Sequence, residues 1–224
     1  MENAFGDLVI DGVTIKPVRK VKYLGVFLDS YMEYSDHISE VIKRCNYAIF
    51  NLKNVKKFVS RETLKILVRT LVVSHIDYCN IIFIGITLTQ QKRLSTMLNK
   101  CVRFIYSITI SMKMRISPLM RELHWLPIEK RVKFKTCVLV HIAVKVRKPK
   151  YLNEYFFYSE NLLNVKTRSA SEAYLSVPKR TQERCNRMIS HSGPRIYNEL
   201  PSAIRNIDSL DTFKIHLKSY FFNN

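Results

Sequence analysis

A chain of 224 residues with 47% apolar side chains is long enough to bury a core and too apolar for a disordered tail. It carries 37 Lys+Arg against 18 Asp+Glu, net +19, a balance that creates a positive field suited to a phosphate backbone. A membrane span is excluded, because Lys65, Arg69, His75 and Asp77 interrupt even the most apolar window, Leu64 to Ile86.

At the N-terminus two short apolar runs, Leu8 to Ile10 and Val13 to Ile15, flank Asp11-Gly12, the pair that supplies the positive torsions of a tight hairpin turn. A third run, Tyr23 to Leu28, has Gly25 in its middle, which predicts a strand with a bulge or a close backbone approach there. From Asp36 to Pro149 the pattern is helical. Ile38, Val41, Ile42, Cys45, Ile49 and Leu52 draw one stripe at spacings of three and four. Ser60 is the expected cap of a second helix, with Glu62 in its first turn. Its stripe runs through Leu64, Leu67, Val68, Leu71, Val72, His75 and Tyr78 until Gly85 ends it. Thr89 is the expected cap of a third helix, with Leu94, Met97, Leu98, Cys101, Ile105 and Ile108 inward and Lys92, Arg93, Lys100 and Arg103 outward.

Ser117-Pro118 opens a short helix, and Leu126-Pro127 a longer one. Lys130, Arg131, Lys133 and Lys135 crowd the first turns of that helix, where like positive charges oppose the dipole; Val132, Leu139, Val140, Ala143 and Val144 give it an apolar side. Two explanations compete for the cluster: phosphate contact, or a solvated face with long stems lying over apolar neighbours. Tyr155 to Tyr158 is a run of four aromatics, read as core packing before base stacking. Arg168, Lys179, Arg180, Arg184 and Arg187 belong to a basic surface loop with an extended segment from Ala173 to Val177. Ser209 starts a last amphipathic helix with Leu210, Phe213, Leu217, Tyr220 and Phe221 on its apolar side.

The elements divide the chain into a hairpin region, residues 1–34, a helical bundle, residues 35–115, and a basic helical and mixed subdomain, residues 116–224. The fold class expected is mainly α behind a short N-terminal β-hairpin. Residues 1–60 hold 9 basic and 7 acidic side chains, so the positive excess belongs almost wholly to the helical and C-terminal part.

Catalytic readings fail on spacing. His75, Asp77 and Cys79 suggest a nucleophilic triad, but helical residues two apart do not face each other. His124-Trp125 reads as a packing anchor more than a stacking platform. Five cysteines, Cys45, Cys79, Cys101, Cys137 and Cys185, are widely separated, and six histidines do not cluster, so neither a disulfide framework nor a zinc site is indicated. Met1 to Ile10 lacks a basic region ahead of an apolar run, so no secretory signal is read and an intracellular location, nucleus or cytoplasm, is expected.

Several motifs stand in one order along the chain: Asp7 to Val13, Lys22 to Asp29 (KYLGVFLD), His37-Ile38, Ser74 to Cys79 (SHIDYC), Leu123 to Pro127 (LHWLP) with Arg131 and Phe134-Lys135, and Pro149 to Leu152 (PKYL). Gly193-Pro194, Tyr197 to Pro201 (YNELP), Ile204-Arg205, Phe213-Lys214 and Leu217-Lys218 follow. In this order they resemble the region beyond the catalytic palm of reverse transcriptases from non-LTR, jockey-like retrotransposons. One departure is Tyr197, where that family usually has Trp. The resemblance implies a primer-grip hairpin around Lys22, Tyr23 and Gly25, a thumb-like bundle, and sequence-independent contact with RNA and DNA by Lys92, Arg93, Lys100, Arg103, Lys130, Arg131, Lys133 and Lys135. It also implies that palm and fingers lie upstream of Met1. The two Mg²⁺ of such a polymerase need a palm carboxylate pair, and this sequence has no Asp-Asp, so no polymerase activity and no cofactor of its own are expected. The reading of another class is a stand-alone basic helical module that holds protein partners.

Overall fold

Two two-residue turns shape the N-terminal region. The structure, a computed structural model, describes residues 6–109, 112, 114–158, 174–179 and 187–224. Strands β1 (Leu8–Ile10) and β2 (Val13–Ile15) pair antiparallel about Asp11 and Gly12, whose φ of 49° and 77° are the left-handed values such a turn requires. Strands β3 (Lys20–Tyr23) and β4 (Val26–Asp29) repeat the device, Leu24 at φ 45° and Gly25 at φ 82° closing the turn. The expected single strand from Tyr23 to Leu28 is therefore two strands of a second hairpin. Gly25 serves its positive φ: a Cβ there would meet only the Tyr78 ring, at an ordinary 3.7 Å.

Val26 is the one strand residue that is buried, and it enters the bundle core. Asp29 then ends the hairpin. Its carboxylate accepts from the backbone N–H of Tyr31, Glu33 and Tyr34 at 3.0, 3.0 and 2.7 Å. Partial burial opposes its charge, but those three donors, with Arg187, outweigh it and hold its pKa below the usual carboxylate value.

Three helical rods follow; the first and third bury the predicted stripes over their helical spans, and the second departs from its stripe halfway. Helix α1 (Ser35–Val55) buries Ile38, Val41, Cys45, Ile49 and Leu52. Ser60 caps α2 (Arg61–Val68), accepting from the Thr63 N–H at 3.1 Å. A π turn at Arg69–Val73 joins α2 to α3 (Ser74–Asp77) in one rod. The wider turn inserts one residue, so burial passes from Leu64, Val68 and Val72 to Val73 and Ile76. The predicted stripe through Leu71, His75 and Tyr78 is thereby rotated outward, and Leu71 and Tyr78 are exposed. The rod also stops at Asp77, before Gly85: Tyr78 is extended, Cys79 is left-handed at φ 49°, and a 3-10 turn spans Asn80–Phe83. Helix α4 (Leu88–Tyr106) is capped two residues before the predicted Thr89, by Thr87 accepting from the Gln90 N–H at 3.4 Å.

Helix α5 (Ser117–Glu122) opens at its proline, and α6 (Ile128–His141) follows Pro127. Two hydrophobic clusters share α6. Ile128 and Val132, with Met120 and Trp125, complete the bundle core, while Cys137 and Val140 enter the second cluster with Phe156, Leu175 and Ile196. Around that second cluster lie α7 (Lys150–Asn153), α8 (Ile189–Asn198), α9 (Ser202–Arg205) and α10 (Leu210–Asn223). Phe213 of α10 stacks on the buried His141 ring at 3.7 Å. The aromatic run divides: Phe156 is buried, Tyr155 and Phe157 are exposed. Arg168, Arg180, Arg184, Cys185 and Ala173 lie outside the described residues. No helix among the described residues is long and apolar enough to cross a membrane.

Candidate nucleic-acid interface

The four cations at the start of α6 have different neighbours. Arg131 places Nη1 at 2.8 and 2.7 Å from the two carboxylate oxygens of Asp77, and only 13% of its side chain is exposed. Lys130 donates to the Phe221 carbonyl at 3.0 Å, and Lys133 lies 3.4 Å from Glu129 and 3.7 Å from Glu199. Of the four, Lys135 alone is exposed to solvent. The crowding that opposes the helix dipole thus has a structural reason beyond the two read from sequence: these side chains tie α6 to α3, α8 and α10. Asp77, committed to Arg131, is equally removed from any triad with His75.

On α4 the cations face the other way. Arg93 donates to Gln90 at 2.7 Å and to Ser39 of α1 at 2.9 Å, and Lys100 donates to Asn46 of α1 at 2.6 Å. Gln90 reaches Ser35 at 2.9 Å. Pairs 35 with 90, 39 with 93 and 46 with 100 advance together, so α1 and α4 lie side by side and parallel. Lys92 is exposed and Arg103 half-buried on the same outer side as Lys100, at spacings of eight and three.

That contact brings in cations the sequence reading passed over. Lys43, Lys53 and Lys57 are exposed, and positions 43, 46, 50 and 53 of α1, continued by 57 in the 3-10 turn that follows it, form one stripe beside the α4 seam. Acids are absent from both partners over this length: none occurs between Glu40 and Glu62, and none between Asp77 and Glu122. Averaging over residues 1–60 hid the first of these runs, since the acids of the hairpins offset the lysines of α1. The carboxylates that border it are engaged: Glu40 with Arg44 at 3.0 Å and Asp36 with Lys20 at 2.8 Å at the start of α1, and Glu129, which accepts from Gln91 of α4 at 3.4 Å. The Arg44 hydrogen bond, with Lys43 and Lys22 adding to it, holds the Glu40 carboxyl below its usual range, which brings Lys22 of the hairpin into the same positive field.

Lys22 and Tyr23 point into solvent at the end of β3, and Gly25 is backed by Tyr78, whose hydroxyl donates to the Leu24 carbonyl at 2.7 Å. The predicted residues therefore fall into two groups. Lys22 and the α4 cations join the α1 stripe, whereas Lys130 and Lys133 turn toward the C-terminal elements and Arg131 toward Asp77 of α3.

Chemically the α1–α4 face can hold phosphates without reading bases. Burial pushes the Cys45 and Cys101 thiols up to about 12, Cys79 is the exposed one, and no group of three metal-ligating side chains occurs among the described residues. No protein-family model, curated protein or solved structure matches the chain.

Proposed function

We propose that this chain is the post-palm, thumb-containing segment of a non-LTR retrotransposon RNA-directed DNA polymerase, and that it grips template and primer without regard to sequence. The observation that carries the reading is the acid-free cationic face of α1 and α4. A grip of this kind must tolerate every template, and Lys and Arg contacts to phosphate do so because phosphates are the same at every base. The order of the sequence motifs supports the polymerase assignment, and the exposed Lys22 and Tyr23 at a hairpin tip support a primer grip. Such a segment works beside nucleic acid, in the nucleus or cytoplasm.

On this reading the two Mg²⁺ and the catalysis belong to a palm joined to this segment, since the sequence itself has no Asp-Asp pair. The stand-alone module reading draws on a different observation, the β1–β2 hairpin, exposed at every strand residue and thus open to a protein partner.

Titration of the purified chain against RNA:DNA hybrids of unrelated sequence, over a range of salt, separates the two. The polymerase-segment reading expects similar affinities for all hybrids and a logarithmic salt slope of about −0.9 per phosphate contacted. Affinity that ignores salt, or follows one sequence, contradicts it.

A further inference from the structure

The outward ridge of α1 carries more than charge. Lys43, Tyr47, Phe50 and Asn54 recur at spacings of four, three and four, which sets them on one line down the helix, and the 3-10 turn Lys56–Phe58 that follows adds Lys57 and Phe58 at its end. Tyr47 is 69% exposed, Phe50 62% and Phe58 78%. The Lys57 ammonium lies 5.0 Å from the centre of the Phe58 ring. Large rings left bare on a solvated face mark a contact surface when they cluster, and here three cluster within a stripe of cations.

We infer that this ridge binds unpaired polynucleotide, the rings stacking on bases while the flanking lysines hold the phosphates between them. The inference rests on the nucleic-acid reading above and deepens it by naming the strand state. A duplex offers a protein phosphates and groove edges; its base faces are covered by their neighbours, so exposed rings gain nothing from it. A single strand can turn its bases onto aromatic rings, and this stacking tolerates any sequence because every base has a π face. From Lys43 to Lys57 the ridge is about 21 Å long at 1.5 Å per residue, enough for about six nucleotides at a stacked spacing of about 3.4 Å.

Charge decides against a second copy of this chain as the occupant. A symmetric contact through the ridge would set Lys43, Lys57 and their neighbours against themselves with no acid to offset them, and like charges across an interface oppose association. Ribose and deoxyribose strands present the same phosphates and base faces, so the ridge takes RNA and DNA alike.

The test is fluorescence anisotropy of the full chain with a labelled homopolymer of about a dozen nucleotides, in ribose and deoxyribose forms, against a blunt RNA:DNA hybrid of equal length. Tyr47→Ala, Phe50→Ala and Phe58→Ala combined should lower single-strand affinity at least tenfold, the effect of unstacking about one to two bases, and leave hybrid affinity within about twofold. Thermal melting checks the fold, which three mostly exposed rings do not support. Phe50→Trp, which enlarges the stacking face, should tighten single-strand binding about twofold and serves as the second variant. Single-strand binding unchanged in both variants overturns the inference and leaves the rings to a protein partner. An equal loss on single strand and hybrid overturns it too. In either case salt-dependent hybrid binding would still stand for the polymerase-segment reading, whereas failure of the parent chain to bind either probe removes both.

Discussion

Arg131 and Lys135 lie four residues apart on α6, yet only one of them is held by the protein. The Arg131 guanidinium is mostly buried against Asp77, and its Nε also donates to the Leu126 carbonyl at 3.4 Å, so it joins the end of α3 to the start of α6. Removing it leaves a half-buried carboxylate with Asn80 as a remaining partner at 3.4 Å. Arg131→Gln should therefore lower unfolding stability by about 2 kcal/mol, in the range of hydrogen bonds to charged groups. Lys135→Gln, at an exposed position, should change it by less than about 0.5 kcal/mol. Urea denaturation of both variants checks the contrast; equal effects would mean that the Asp77 contact contributes nothing. Residues in the resembling motifs have similar duties. Asn198 accepts from the Leu175 N–H at 2.9 Å and donates to its carbonyl at 2.8 Å, and the Tyr197 hydroxyl meets His141 Nδ1 at 3.0 Å. These motifs build the second core, and their side chains are spent on packing and hydrogen bonds within it.

Among the elements, α8 shows why Gly193-Pro194 stands where it does. A Cβ on Gly193 would come within 3.0 Å of a Val140 methyl and 3.2 Å of the Phe156 ring, both buried. Alanine gains helix propensity of up to about 1 kcal/mol, but overpacking a core that cannot yield costs about 1–3 kcal/mol. Gly193→Ala should thus be destabilising by about 1 kcal/mol, and a thermal melt at or above the parent's would show that α6 and α8 can part. Helix existence, the Ser60 and Ser209 caps and the α1 stripe were legible in the sequence because a 3.6-residue period and a Ser cap are local signals, while the α4 cap falls on Thr87 and not Thr89; α1 buries five of its six predicted stripe residues and leaves Ile42 half-buried. The π turn at Arg69–Val73 was not, since one inserted residue has no local signature and shifts every later position of the rod. The second hairpin was hidden because Leu24, a residue that rarely takes positive φ, masked a two-residue turn. The α1 half of the cationic face was missed for another reason. Its lysines are ordinary when taken singly, and only the parallel packing of α1 on α4 makes them one surface.

At the scale of the whole molecule two electrostatic consequences follow. His141 is fully buried under Phe213, and burial, followed by the nearby Lys145, holds its pKa down to about 4 from an ordinary 6.5. Burial lowers His37 and His75 in the same direction. A group depressed in the folded state binds its proton first when unfolded, so between about pH 6.5 and 4 the unfolded chain holds more protons and stability falls as pH falls. Chemical denaturation at pH 7 and pH 5 should show a loss of about 2 kcal/mol from His141, and His141→Leu should flatten that slope whatever it does to stability at pH 7. A stability that rises toward pH 5 would contradict the burial of a neutral imidazole. The second consequence is the central one: under the proposed function, the cations of the α1–α4 face carry the phosphate contacts. The most direct measurement is the salt slope of RNA:DNA hybrid binding for two variants, Lys43, Lys53, Lys92 and Lys100 replaced by Gln, against Lys130, Lys133 and Lys135 replaced by Gln. The first set should lower affinity for every sequence alike and reduce the slope by about one for each phosphate no longer held, while the second should leave the slope close to the parent's. The opposite order, with the slope unchanged by the first set and flattened by the second, would contradict this expectation.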